Sequence, residues 1–122
     1  MPKNDVLISK LEYILEHIHR INICTKDIKN PGDYDSSSHG ITLFDATMMR
    51  LQAIGENLKK IEEKYPEILD KHTEIEWVKI IRLRDIISHH YEKLQSEIVF
   101  EICTDFIPKL KKAILLIIKE NP

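Results

Sequence analysis

Apolar residues recur at steps of three and four along the first part of the chain, from about Asp5 to Lys26. This spacing places them on one face of an α-helix, with polar residues on the other face. Asn4 or Asp5 can cap the start, because a side-chain oxygen there can accept a hydrogen bond from a free backbone N–H group. The stripe that we expect to be buried consists of Leu7, Leu11, Ile14, Ile18 and Ile21.

A polar break separates this helix from a second one. Residues 30–41 are rich in Pro, Gly, Asp and Ser, which predicts a loop within one domain and makes His39 a solvated loop residue. Thr42 and Asp45 have the spacing of a capping box that would start the second helix, which then runs to about Lys64. Its expected core stripe consists of Leu51, Ile54, Leu58, Ile61 and Tyr65.

Gly55 lies inside this second stripe. A glycine in a helix interior costs about 1 kcal/mol relative to alanine. Close packing against another helix would explain its presence, so we expect a structural role rather than a catalytic one.

The third and fourth helices follow Pro66, which ends the second helix because the residue before a proline disfavours the helical conformation. The third starts near Thr73 and carries apolar residues nearly all round. The fourth runs from near Ser96 to about Lys119, and Pro108 should kink or split it. The apolar residues of the third helix include Trp77, Ile80, Ile81 and Ile87.

These elements predict one all-α domain over residues 1–122, an antiparallel bundle of four to five helices with a kinked or split last helix. No period-2 strand pattern is visible. Apolar residues make up 43% and charged residues 31% of the chain, a balance typical of a globular domain. Cys24 and Cys103 lack metal or redox spacing and are expected to be buried thiols in a reducing compartment.

No segment of the chain has the pattern of a signal peptide or a bilayer-spanning helix, so we expect a cytoplasmic protein without a membrane partner. The net charge of −2 argues against a general nucleic-acid coat. A local cationic cleft remains open, with Lys79, Arg82 and Arg84 as one candidate cluster. A second cluster consists of Lys109, Lys111 and Lys112. No metal site is expected, because the histidines and cysteines have no metal-ligand spacing.

Candidate chemistry concentrates in the spacing R-x4-H-x-Y formed by Arg84, His89 and Tyr91. Arg84 is a permanent cation with a planar fork suited to phosphate. His89 can hold or release a proton near neutral pH. Together they could cleave an RNA phosphodiester without a metal. Taken singly, each residue also has a structural explanation: a solvated or ion-paired surface arginine, a helix C-terminal histidine and a rim or core aromatic.

The helix geometry complicates this pairing. In an uninterrupted helix Arg84 and His89 lie about 140° apart. Either the helix ends near Ser88, or the two side chains meet across a groove between subunits. Asp85 and His89 form an i,i+4 pair, whereas Ser88 and Tyr91 lie more nearly on the face of Arg84.

The run from Trp77 to Tyr91 resembles the signature helix of the HEPN superfamily, and most closely that of the HepT-type toxins. Three further elements agree with that family in order and spacing, and they extend the resemblance over about residues 5–118. The first is the apolar-Gly-Glu element Ala53-Ile54-Gly55-Glu56. The second is the Pro and the Trp that precede the motif, in Tyr65-Pro66 and at Trp77. The third is the run from Asp105 to Leu110, which contains Pro108.

The resemblance implies a homodimeric endoribonuclease with both copies of the motif along a shared cleft. Arg84 would hold the scissile phosphate and His89 would act as general base or acid, with no metal and no cofactor. Asp85, Ser88 and His90 would be supporting residues. Asp85 stands where the family most often has Asn, and His90 where it often has glycine.

HepT-type toxins pair with a small nucleotidyltransferase antitoxin that transfers AMP to the motif tyrosine, here Tyr91. The resemblance therefore implies an RNA substrate, that antitoxin as partner, and membership of a toxin–antitoxin pair. A non-enzymatic alternative stays open, in which the protein is a helical subunit that docks a nucleotidyltransferase without cutting RNA. The net charge of −2 and Asp85 favour this alternative.

Overall fold

The structure, a computed structural model, describes residues 5–90 and 94–122, and for His90 it describes the backbone alone. These residues form helices and no strands, as the sequence predicted. The α-helices are α1 (Asp5–Thr25), α2 (Ser38–Lys64), α3 (Pro66–Asp70), α4 (Trp77–His90), α5 (Ser96–Glu101) and α6 (Ile107–Glu120).

The core lies where the apolar stripes of α1, α2, α4 and α6 meet. Every residue of the predicted α1 stripe is buried, and so is every residue of the α2 stripe except Tyr65, which is partly buried against the same core. Amphipathic helices bury these faces because transfer of apolar surface out of water supplies most of the driving force for folding.

The predicted loop is shorter than residues 30–41 and contains a 3-10 turn, Pro31–Tyr34, that buries the Tyr34 side chain. Helix α2 begins at Ser38, and the Oγ of Ser37 accepts a hydrogen bond from the Gly40 backbone N at 2.9 Å. The expected capping box starting at Thr42 is therefore wrong. His39 is exposed as expected, but it belongs to the first turn of the helix.

Pro66 does follow the end of α2, and its fixed φ suits the first position of the short helix α3. Helix α4 begins at Trp77 and not near Thr73. The indole Nε1 of the buried Trp77 donates to the backbone oxygens of Leu69 and His72, both at 3.0 Å. These two bonds fix the start of α4 against the preceding loop.

His72 in this loop is 5% exposed and faces a carboxylate on each side. Its Nδ1 lies 3.1 Å from Glu74 Oε1, and its Nε2 lies 2.9 Å from Glu120 Oε1 at the end of α6. The imidazole thus connects the end of the last helix to the loop that leads into α4.

The last helical region is divided into two helices, as we predicted from the position of Pro108. A π-helical turn, Ile102–Phe106, separates α5 from α6, and Pro108 lies in the first turn of α6. A proline has no N–H group to continue the helical hydrogen-bond pattern, which accounts for the irregular turn directly before it.

The two thiols are only partly buried, so the expectation of buried cysteines is met in part. Burial nevertheless raises the pKa of Cys103 to about 12, which keeps that thiol protonated and unreactive at neutral pH. Among the helices within residues 5–90 and 94–122, none is long and apolar enough to cross a membrane.

Candidate active site

Helices α2 and α4 are in close contact at Gly55. A Cβ atom added to Gly55 would lie 2.6 Å from the Cβ of Arg84 and 3.0 Å from the carbonyl oxygen of Ile80. The predicted packing role of Gly55 is confirmed, and its partner is the motif arginine itself. The missing side chain lets the backbone of α4 at Arg84 rest directly on α2.

The guanidinium of Arg84 faces two carboxylates. Its Nη1 donates to Asp85 Oδ1 at 2.8 Å, and its Nε lies 3.7 Å from Glu56 Oε1. The side chain is 31% exposed, while Nε itself is buried and makes no hydrogen bond. Glu56, next to Gly55 in sequence, therefore acts on the same arginine from α2. An anionic ligand would have to compete with Asp85 for Nη1.

Ser88 lies one turn beyond Arg84 and contacts the same neighbouring helix. Its Oγ accepts a hydrogen bond from Gln52 Nε2 at 2.9 Å. Since Gln52 meets Ser88 while Gly55 meets Arg84, α2 and α4 run antiparallel. The bond holds the last turns of α4 against α2.

His89 is exposed, and α4 continues past it to His90. The helix therefore does not end between Arg84 and His89. On this continuous helix, five residues place His89 about 140° from Arg84. Asp85, the i,i+4 neighbour of His89, pairs with Arg84 instead. One copy of the chain thus presents the two catalytic candidates on different sides of one helix.

The His90 side chain and the whole of Tyr91 lie outside the described residues. The supporting role of His90 and the modification of Tyr91 remain predictions.

The cationic cluster predicted from Lys79, Arg82 and Arg84 is divided between two sides of α4. Arg84 contacts α2, whereas Lys79 and Arg82 lie along a groove of about 410 Å³ between α4 and the α5 region. Glu101 and Asp105 line the same groove. Its apolar lining consists of Ile80, Leu83, Ile86, Ile98, Ile102 and Phe106.

The comparisons with known proteins decide the family. Residues 11–117 match the family model described as "Ribonuclease HepT-like". The chain belongs to the HepT-like ribonuclease family. No solved structure matches the chain.

Two relatives of this HepT-like protein come from the same organism. The chain is 32% identical to "Putative RNase MJ0127" of Methanocaldococcus jannaschii over 98% of this chain and 93% of that protein. It is also 34% identical to "Gamma-glutamylcyclotransferase and putative RNase MJ0434" of the same organism, over 90% of this chain but only 46% of that protein. The chain therefore spans about half the length of this second relative.

In the HepT-like chain, no group of three or more His, Cys, Asp or Glu side chains is arranged to hold a metal ion within the described ranges. On α2 and α4 the chain carries a partly exposed cation at Arg84, an exposed imidazole at His89, and the hydrogen-bonded hydroxyl and amide of Ser88 and Gln52. These groups can bind a phosphate and move a proton.

Sequence reasoning missed one further contact. Arg50 on α2 donates from Nη1 to His17 Nδ1 on α1 at 3.2 Å. Burial, with the Arg50 charge adding to it, lowers the pKa of His17 from its ordinary value, so the ring is largely neutral at pH 7 and its Nδ1 can accept. The two residues are 33 positions apart, and no local pattern connects them.

Proposed function

We propose that this HepT-like ribonuclease cuts RNA without a metal ion and leaves a 2′,3′-cyclic phosphate. The 2′-oxygen would attack the adjacent phosphorus, and the bond from phosphorus to the 5′-oxygen would break. One proton leaves the 2′-hydroxyl and one reaches the departing 5′-oxygen. His89 performs one of these two transfers, and Arg84 neutralises the charge that builds on the phosphate.

The observation that carries this proposal is the packing of Arg84 on Gly55. A cation stabilises a transition state best when its position is fixed before the substrate arrives. The Arg84 backbone rests on α2 where a Cβ at Gly55 would intrude, and Glu56 Oε1 lies 3.7 Å from the guanidinium Nε.

The proposed enzyme is a homodimer, and the groove beside α4 supports this. Its lining includes Ile86 and Ile98, which are 38% and 44% exposed. Lys79 and Arg82 contribute basic groups to it, and Glu101 and Asp105 contribute acidic ones. In a two-fold interface the same surface occurs on both copies, so the basic residues of one copy can meet the acidic residues of the other. Such a dimer would bring two α4 helices together.

The dimer would also explain how Arg84 and His89 can act on one phosphate although they lie on different sides of α4. Side chains that point to different sides of one helix can converge when a second, antiparallel copy of that helix lies beside it. The scissile phosphate would then lie between Arg84 of one protomer and His89 of the other.

We further propose that a nucleotidyltransferase antitoxin inhibits the enzyme by transferring AMP to Tyr91. The support is the R-x4-H-x-Y spacing itself. A phosphodiester on Tyr91 would bring negative charge close to the motif and compete with RNA for Arg84. Co-expression with the partner should add the mass of one or more AMP residues, and Tyr91→Phe should escape the first addition. An unchanged mass after co-expression with an active partner would exclude this form of inhibition.

A second candidate function has a specific observation in its favour. Asp85 accepts from Arg84 at 2.8 Å and Glu56 lies 3.7 Å away, so two carboxylates already balance the single cation. A non-catalytic helical subunit that docks a nucleotidyltransferase could tolerate this balance better than a phosphate-binding enzyme.

Cleavage of single-stranded and looped RNA in EDTA separates the two functions. The wild-type protein should cut and leave cyclic phosphate ends. Arg84→Gln and His89→Gln should each reduce the rate about 100-fold or more, the range reported for loss of one electrostatic or acid–base group. Arg20→Gln, at an exposed arginine on α1, is the matched control. A Mg²⁺ requirement, or full activity of both variants, would overturn the nuclease mechanism. An inactive wild type that still binds a nucleotidyltransferase would favour the second function.

A further inference from the structure

Arg50 is a partly buried cation that is paired with a neutral group. Its Nη1 donates to the neutral imidazole of His17, which supplies an acceptor but no negative charge. Within residues 5–90 and 94–122 no carboxylate lies within ion-pair distance of Arg50. The nearby Glu16 is engaged by Arg20 at 2.9 Å. Arg84, by contrast, faces both Asp85 and Glu56.

The contact with His17 also fixes the orientation of Arg50. Both side chains are partly buried between α1 and α2, so the guanidinium is held against the surface and does not extend freely into water. One N–H edge is used by His17, and the remaining donors stay available. An oriented guanidinium with free donors is the group that recognises a phosphate with least loss of side-chain entropy.

Arg50 and the motif arginine lie on two sides of α2. Arg50 is five residues before Gly55, the contact point of Arg84. The shorter arc between them, about 140°, is the buried face of α2, so a strand would follow the outer arc of about 220°, a path on the order of 20 Å. This outer arc carries Met49, which is 66% exposed, the small and partly buried Ala53, and the partly buried Gln52 and Glu56.

We propose that Arg50, oriented by His17, binds a phosphate of the RNA strand a few nucleotides from the scissile one, and that the strand crosses the outer face of α2 over Met49 and Ala53. The inference rests on the proposed function and extends it with a second phosphate site. A thioether such as Met49 offers an apolar surface for a base. Because Asp85 and Glu56 offset the charge of Arg84, a second cation on the other side of α2, paired with a neutral imidazole, supplies electrostatic attraction that the motif alone lacks.

The competing explanation is that Arg50 merely joins α1 to α2. Both explanations expect Arg50→Gln to lose some stability, so stability does not distinguish them. They differ in salt dependence, because only a phosphate contact releases a counterion when RNA binds.

The test measures RNA binding in the His89→Gln background, where the strand is not cut, over a range of salt concentrations. Arg50→Gln should weaken binding roughly five- to tenfold. It should also lower the slope of log affinity against log salt by about 1. Lys64→Gln removes the same charge from an exposed residue at the end of α2 and should leave both quantities unchanged. If Arg50→Gln behaves like Lys64→Gln, the proposal is overturned.

A measurement on the unmutated protein covers the case in which Arg50→Gln does not fold. Bound RNA should protect Arg50, but not Arg20, from an arginine-modifying dicarbonyl, as read by peptide mass spectrometry. Equal modification of Arg50 with and without RNA would contradict the proposal. If Arg84→Gln abolishes cleavage while Arg50 shows neither effect, only this inference fails. If the wild type neither binds nor cuts RNA, the proposed function fails and the inference fails with it.

Discussion

Gly55 and Arg84 are packed so closely that a methyl group on Gly55 would lie 2.6 Å from the Cβ of Arg84. The same added atom would lie 3.0 Å from the carbonyl oxygen of Ile80. Neither obstacle is the end of a flexible side chain, so α4 itself would have to move. The glycine therefore sets the distance between α2 and the helix that carries the motif.

Gly55→Ala should impair catalysis more than stability. The methyl group would cost about 1–3 kcal/mol by overpacking, and the better helix propensity of alanine would return about 1 kcal/mol. Displacement of Arg84 should lower kcat/KM at least about tenfold, because small misplacements of catalytic groups are costly. Urea unfolding and RNA cleavage measure the two effects. Gly32→Ala is the control, since a Cβ there meets only the side-chain oxygen of Asn30 at 3.1 Å. Wild-type activity in Gly55→Ala would contradict the argument.

Asp85→Asn should make the enzyme faster. The substitution removes the carboxylate that accepts from Arg84 at 2.8 Å while retaining an oxygen at that position. Since an exposed pair contributes about 0–1 kcal/mol, kcat/KM should rise by up to about fivefold. Asp70→Asn, at an exposed aspartate of α3, controls for the change in net charge. An equal or lower rate for Asp85→Asn, measured at low and at physiological salt, would show that Asp85 does not compete with RNA.

His72→Ala should destabilise the fold without touching the motif. The buried imidazole lies within 3.1 Å of Glu74 and 2.9 Å of Glu120. Its removal should lower the free energy of unfolding by about 1–3 kcal/mol, the range for leaving buried polar contacts unmade. His39→Ala is the matched control at an exposed histidine. Denaturant titration of both variants gives the comparison, and equal midpoints would show that the contacts of His72 with Glu74 and Glu120 do not stabilise the fold.

The spacing of apolar residues predicted the helices well, because each apolar stripe is continuous and its residues are buried on the predicted face. The boundaries were harder to predict. Ser37 and not Thr42 caps α2, because the preceding turn folds Asp33 against Gly40. Helix α4 starts at Trp77 because the loop before it is held by Trp77 and His72. These bonds depend on tertiary contacts that no local pattern contains.

The candidate site could likewise be predicted only in part from the sequence. The spacing of Arg84 and His89, and the need for close packing at Gly55, could be read from the sequence. That Gly55 packs on Arg84, and that His17 holds Arg50, could not, because each contact joins residues about 30 positions apart on separate helices. Helical phase gives the face of a residue, but the neighbour of that face is decided by the packing of the whole bundle.

Mixing two inactive variants tests whether the active site is shared between protomers. Arg84→Gln and His89→Gln each remove one half of the pair, and they lie on different sides of α4, about 140° apart. In a mixed dimer with a shared site, one protomer still contributes Arg84 and the other still contributes His89, so one of the two sites is intact. Random mixing of such a symmetric dimer should restore about a quarter of the wild-type rate. If each protomer holds a complete site, the mixed dimer contains no intact pair and stays inactive. Arg84→Gln alone, taken through the same subunit exchange, controls for activity regained by refolding.

Ile86→Glu places a charge in the groove beside α4 and should prevent dimerisation, and with it the rescue. Rescue that survives Ile86→Glu in both protomers would place the interface elsewhere, and no rescue in a proven mixed dimer would refute the shared site.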